Sequence, residues 1–304
     1  MSVSSQAGAE STRTTGPNPQ PEAPDPARLS LNTATVREQW NLAQMIEACA
    51  RHGIRGISPW RDKLAELGAA EAARRIRANG LSVSGLCRGG MFPAADAAGR
   101  RAAIEDNLRA IDDAATLGAR CLVLVVGGVV SGTRDLDGAR AMVRDGLVEI
   151  LPHARASGVP LAIEPLHPMY CADRACVNTL DQALDLCDEI DPVKPGEAAS
   201  GAIGVAVDAY HVWWDPRLAP ALARASAARL LAYHICDWLV PTRDLLLDRG
   251  MMGDGVIDLP ELRARVEANG YRGAHEVEIL STHWWQRDPD EVLEIVRDRH
   301  LRCS

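Results

Sequence analysis

The chain has no apolar run approaching the roughly 18 residues that a membrane-spanning helix needs. Its N-terminus carries no apolar stretch of the kind that marks a secretory signal. It lacks a basic excess: 33 Lys and Arg stand against 41 Asp and Glu, a formal charge of −8. That balance argues against a partner held mainly through phosphates, so no nucleic acid is expected. None of the eight cysteines forms a CxxC pair; Cys171 and Cys176 are spaced loosely and lack a second pair for zinc. Reduced, buried thiols and a cytoplasmic location are the expectation. The glycine fingerprint of a dinucleotide site is missing too, because Gly127-Gly128 does not open a GxGxxG.

What remains suits a single large core. The hydrophobic fraction is 47% over 304 residues. Residues 1–27, with prolines at 17, 19, 21, 24 and 26, are expected to be a disordered tail. Residues 28–304 are then one domain of ordinary barrel size. Strands are expected at Leu29–Thr33, Ile54–Trp60, Leu81–Leu86 and Cys121–Val126, with helices at 38–52, from Trp60 to Ala78, at 97–117 and at 135–157. Four further short apolar runs alternate with helices near 177–190, 217–229, 258–269 and 288–299. Strict alternation demands parallel pairing. Eight units favour an α/β fold of the (β/α)8 TIM-barrel type. Asp191 to Gly201 has the composition of a surface loop insertion.

The four later runs each end in one potential metal ligand: Leu161-Ala162-Ile163-Glu164, Val205-Ala206-Val207-Asp208, Leu231-Ala232-Tyr233-His234 and His275-Glu276-Val277-Glu278. The C-terminal ends of barrel strands carry the chemistry of such folds. Three carboxylates and an imidazole there would form an open site for a divalent cation. A lone buried carboxylate is costly, so each needs an ion, a proton or a partner. Glu276 and Glu278 share one strand face; Glu278, nearer the strand end, is the chosen ligand. Glu276 then lies a layer deeper and His275 faces the helices. His211 can reach a substrate from the loop after Asp208. Asp237 can orient a side chain or bind a substrate hydroxyl. Trp60, His167, Arg88 and Asn178 are candidates for the mouth of the site. Six of the seven tryptophans (Trp60, Trp213, Trp214, Trp238, Trp284 and Trp285) follow expected strands, which suits stacking on a sugar face, a hydrophobic lid or a homo-oligomer contact.

The series Ile163-Glu164-Pro165-Leu166, Val207-Asp208-x-Tyr210-His211, His234-Ile235-x-Asp237, Gly253-Asp254-Gly255-Val256-Ile257-Asp258 and Gly270-Tyr271-Arg272-Gly273-x-x-x-Val277-Glu278 resembles the xylose-isomerase-like TIM barrels. Within them it looks like the sugar phosphate isomerase/epimerase group, over about residues 29–300. The resemblance implies a divalent ion (Mn2+ first, with Mg2+, Co2+ or Zn2+ as alternatives) on Glu164, Asp208, His234 and Glu278. It implies substrate contacts from His211 and from Arg249. The implied chemistry is enolisation of a keto sugar, keto-inositol or hydroxy-ketone, with Glu164 and Glu278 moving the proton. An isomerase or epimerase is expected. A lyase on the same site, dehydrating or eliminating an aglycone, is the alternative. An endonuclease IV-type repair enzyme would need more histidines and a basic face, and a non-catalytic binding module would have no turnover to lose. The loops after the last two strands lack a glycine-rich phosphate nest, so the substrate is expected to be unphosphorylated.

Overall fold

The computed structural model describes residues 22–192 and 201–304; residues 1–21 of the tail expected over 1–27 and most of the loop insertion at 191–201 lie outside them, while Pro26–Arg28, at the end of that expected tail, form a 3-10 turn capped by Asp25. The strands are β1 (Leu29–Asn32), β2 (Gly56–Ser58), β3 (Ser82–Val83), β4 (Leu86–Gly90), β5 (Leu122–Val125), β6 (Leu161–Ile163), β7 (Ile203–Asp208), β8 (Leu230–Ile235), β9 (Asp237–Trp238), β10 (Arg249–Gly250) and β11 (His275–Val277). Nine of them run parallel in the order β3-β2-β1-β11-β8-β7-β6-β5-β4. The ends of that order, β3 and β4, are two pieces of one stave. Ser84 N and Leu86 N reach the neighbouring carbonyls of Ile57 and Cys121 on either side of it. The expected (β/α)8 barrel is therefore observed, with its third stave interrupted at Ser84-Gly85.

The helices form where capping chemistry allows. Two long ones, Ala97–Leu117 and Leu136–Ser157, start on the side chains of Asp96 and Asp135 and stop at left-handed Gly118 and Gly158. The helix expected from Trp60 to Ala78 is two helices, Arg61–Leu67 and Ala69–Ala78. Gly68 between them takes φ 83°, ψ 144°, which a helix interior excludes. The first helix begins at Leu42 under an Asn41–Gln44 capping box, later than the expected 38, because Thr33–Val36 forms a separate 3-10 turn. The antiparallel β9–β10 ribbon was not expected from the sequence; it returns the chain from the end of β8 to the barrel mouth.

Two apolar populations result. Leu, Ile, Val and Met pack between staves and helices. Inside the barrel the buried residues are small: Cys87, Cys121, Val123, Ala162, Ala206 and Ala232. Small residues there leave volume for polar side chains.

Candidate metal centre and substrate cavity

Parity along four adjacent staves builds the site. On β6, β7, β8 and β11 the inward positions are Ala162 and Glu164, Ala206 and Asp208, Ala232 and His234, and Glu276 and Glu278. Register places Asp208 beside His234 and Glu276 beside His234. Each stave thus offers a lower and an upper inward residue. The upper four are the predicted quartet. Glu164, Asp208, His234 and Glu278 are all buried, and one ligand atom from each lies within 4.8 Å of the others.

This quartet is short of donors. His234 Nδ1 is 3.2 Å from Glu164 Oε1 and 3.8 Å from Glu278 Oε2. Neither His234 Nδ1 nor Glu164 Oε1 has an aligned hydrogen-bond partner among the described residues. Trp60 Nε1 donates to Glu278 Oε1 at 3.2 Å. Arg249 Nη1 donates to Asp208 Oδ2 and Glu278 Oε2, both at 3.2 Å. Burial pushes the Asp208 carboxyl up to about 7 although Arg249 opposes it. Burial alone would pull His234 down, but the Glu276, Glu164 and Glu278 carboxylates outweigh it and hold its pKa well above the ordinary value. Three crowded carboxylates and an imidazole nitrogen without an aligned hydrogen bond among the described residues are a donor set that fits a divalent cation.

The lower layer is different. Glu276 Oε1 accepts from Asn32 Nδ2 at 2.7 Å and Oε2 from Ser84 Oγ at 2.8 Å, and Ser84 Oγ also meets Ser30 Oγ at 2.7 Å. His234 Nε2 lies 3.3 Å from Glu276 Oε1, so this saturated carboxylate sits behind the ring whose Nδ1 faces the quartet. As anticipated, His275 turns outward, to Glu267 and His300, both at 3.0 Å.

Above the quartet is a narrow cavity of about 30 Å³ lined by Trp60, Arg88, His211, Arg249, Glu164 and Glu278, among others. His211 is buried. Its Nδ1 faces the His167 amide and its Nε2 faces Arg249 Nη2, both at 3.2 Å, with Asp208 Oδ2 3.6 Å from Nε2. Burial, then the Arg249 charge, hold its pKa well below the ordinary value, so it is neutral. Arg249 stacks at 4.5 Å over Tyr210.

The other predicted residues are distributed more unevenly. The His167 ring leaves the cavity and packs on Trp238 and Trp214. Asp237 is not available to a substrate hydroxyl. It is fully buried, and its two oxygens accept the amides of Trp238, Gly253, Gly255 and Ile257 at 2.8–3.0 Å. Its orienting role is exercised on a loop backbone. Asn178 holds the Leu166 and Ala175 carbonyls. Of the six tryptophans, Trp60 lines the cavity; Trp213 and Trp238 pack with each other, and Trp285 Nε1 bonds Ala34 O. Cys87, Arg174, Leu246 and Leu280 also line the cavity, and the sequence had not singled them out for it. They come from loops or a strand bulge, where periodicity carries no facing information.

The chain is similar to several known proteins. It is 24% identical over 283 residues to a Bacillus velezensis protein named inosose isomerase, covering 89% of this chain and 95% of that one. A crystal structure of the protein SMc04130 from Sinorhizobium meliloti 1021 is 58% identical and superposes with a TM-score of 0.87, over 92% of this chain and 99% of that one. The IolI protein, whose structure holds a zinc atom, is 21% identical with a TM-score of 0.74, over 90% and 96% of the two chains. The family model described as xylose isomerase-like TIM barrel matches residues 46–299, and the chain belongs to that family.

Proposed function

We propose that the chain is a metal-dependent isomerase or epimerase. Its substrate is an unphosphorylated keto sugar, keto-inositol or hydroxy-ketone, and it acts by proton abstraction beside the carbonyl through an enediolate. The observation that carries this reading is the quartet: buried carboxylates from adjacent staves around an imidazole nitrogen without an aligned hydrogen bond among the described residues. The inosose isomerase relatives and the zinc atom of the IolI neighbour support it.

Glu164, Asp208, His234 and Glu278 would hold the ion, which would supply a Lewis acid for a carbonyl oxygen. Glu164 and Glu278 are the outer members of the four adjacent staves, so a substrate carbon above the quartet lies between two carboxylates. One takes the proton beside the carbonyl and the other returns it. Positioned bases of this kind contribute about 10²–10⁴-fold. His211, held neutral, contacts a substrate oxygen. Arg249 supplies a fixed positive charge to the same side. The absence of a phosphate is supported by Asp237: the amides of Gly253 and Gly255, which could have cradled an anion, are taken by the chain's own carboxylate. A lyase with a bulky leaving group would be favoured by a tryptophan-lined mouth, and Trp60 alone among the six lines the cavity.

The test is NMR in D2O of Mn2+-loaded and chelator-treated protein with a panel of free ketoses, keto sugar acids, keto-inositols and 3-keto-glycosides, exchange being read after removal of the ion. Deuterium entering beside the carbonyl, and lost in Glu278→Gln, is the expected result, with product mass retained. Loss of water or of an aglycone selects the lyase. Absence of exchange throughout the panel despite a bound ion overturns the enolisation reading.

A further inference from the structure

The cavity holds two positive charges that the chemistry above does not use. Arg88 and Arg174 both line it, alongside Glu164, Glu278 and Arg249. Both are half-buried. Arg88 also lines an adjoining cleft of about 410 Å³, where it stands beside Arg37 and Arg61. Those two neighbours are matched: Arg37 pairs with Asp62, and Arg61 grips Asp106 through both nitrogens, at 2.6 and 2.9 Å. Neither Arg88 nor Arg174 has an ion pair or side-chain hydrogen bond among the described residues. Arg174 rests instead on the Tyr170 ring at 5.7 Å. The Arg88 pKa is lowered, by burial first and then by the charge of Arg174, so the two guanidiniums are near enough to repel.

The backbone holds them in this unfavourable arrangement. The β4–β5 register shifts between Cys87 and Gly89, which makes Arg88 the extra residue of a bulge. Bulges next to active sites commonly re-aim a side chain. Arg174 is pinned through its own carbonyl, which accepts from Gly127 N at 2.8 Å, while Cys176 N donates to Gly127 O at 2.8 Å. That approach requires Gly128. A Cβ there would stand 2.5 Å from the backbone of Ala172 and Asp173. Two unpaired, half-buried guanidiniums on fixed backbone are costly unless an anion joins them. Charge counting agrees. A divalent ion with Arg88, Arg174 and Arg249 exceeds the four carboxylates Glu164, Asp208, Glu276 and Glu278 by one positive charge, the charge a substrate carboxylate would match.

We propose that Arg88 and Arg174 form an anion subsite of the catalytic cavity that binds a carboxylate on the substrate. The substrate class is then a keto sugar acid, and not a neutral keto sugar. This rests on the enolising reading for the chemistry at the other end of the molecule. Guanidiniums present paired donors that match a carboxylate.

The probes are D-fructuronate, D-fructose and D-fructose 6-phosphate, which differ only at C6. Their binding is measured by calorimetry on Mn2+-loaded wild type, Arg88→Gln, Arg88→Lys and Arg174→Gln, with thermal melts to establish folding. The expected result is a preference for D-fructuronate over D-fructose of roughly tenfold or more, the scale of one charge-assisted hydrogen bond. That preference is lost in both Gln variants and partly kept in Arg88→Lys. Equal binding of the acid and the neutral sugar, no binding of any probe, or a preference for the phosphate alone overturns the proposal. So does a preference that survives both Gln variants, which would put the carboxylate on the ion. Deuterium exchange, followed in the same samples after removal of the ion, separates the two readings. Exchange into D-fructose without any advantage for the acid leaves enolisation standing and removes the subsite. Arginine-dependent binding without exchange does the reverse.

Discussion

Glu276 and Glu278 sit two residues apart on one face of one strand, both buried, yet their surroundings oppose each other. Around Glu276, each oxygen has an aligned donor, from Asn32 and from Ser84. Glu278 has only longer donors, Trp60 and an Arg249 nitrogen that it shares with Asp208, all at 3.2 Å, and the His234 Nδ1 and Glu164 Oε1 atoms beside it have no aligned partner among the described residues. A saturated buried carboxylate is a structural group, because its desolvation is already offset. A layer with more acceptors than donors is unstable by itself and calls for a cation. The neighbours below the quartet fit this division: Ala162, Ala206 and Ala232 occupy three of the four lower positions and leave room for the one Glu276 side chain.

The comparison can be broken most directly by stability. Glu276→Ala strips two buried donor groups of their acceptor and should cost about 3 kcal/mol in urea unfolding. Asp208→Asn in metal-free protein should cost much less or stabilise, since it relieves crowding of like charges. If the two variants exchange effects, the layers have been assigned the wrong way round. Mn2+ offers the next test. At a hundredfold excess over its Kd it should stabilise wild type by about 2.7 kcal/mol. A chelator should reverse the gain, and Asp208→Asn should abolish it, as read from thermal melts. Glu276→Gln sharpens the contrast: behind the His234 ring, its loss should weaken Mn2+ affinity by about 10–100-fold without removing the site. Unchanged affinity would mean that Glu276 serves the fold alone.

The smallest effect concerns the outward side of the same strand. Burial first, then the Arg28 charge, hold His275 down to about 2; burial and Arg263 hold His300 down to about 4. Both are neutral when folded, whereas an unfolded imidazole takes up a proton near 6.5. The unfolded state therefore binds more protons below that pH. Their contribution to stability should be intact above about 6.5 and decline as pH falls towards 4, opposite in sign to that of His234 and Asp208, whose raised pKa values favour the fold on acidification. The readout is therefore a difference: the Tm of His300→Gln relative to wild type should be higher at pH 4.5 than at pH 7.5. An unchanged difference would show that the pair protonates freely in the fold.

Much of this was legible because strands have a period of two. Eight alternating apolar runs implied a parallel barrel, and the last residues of four runs shared a face, which is how Glu164, Asp208, His234 and Glu278 came to be named together. The same parity put Glu276 one layer down and His275 outside. Periodicity stops at the strand ends. Asp237 is two residues beyond β8, and its chemistry suited a substrate contact as well as the loop amides it receives. The tryptophans followed strands as a mouth-lining residue would, but a loop can fold its aromatic rings onto each other, as Trp213 and Trp238 do.

The sequence by itself determined the barrel, the order of its staves and the inward faces, because local hydrophobic pattern and crossover geometry leave few alternatives. Tertiary structure alone decided which polar groups saturate one another. Whether a buried carboxylate is satisfied depends on donors more than 200 residues away, as with Asn32 and Glu276, and whether an arginine is left without a partner depends on loops meeting at close range, as Gly127 meets Arg174. Those distances are fixed by packing of the whole barrel, and no local pattern encodes them.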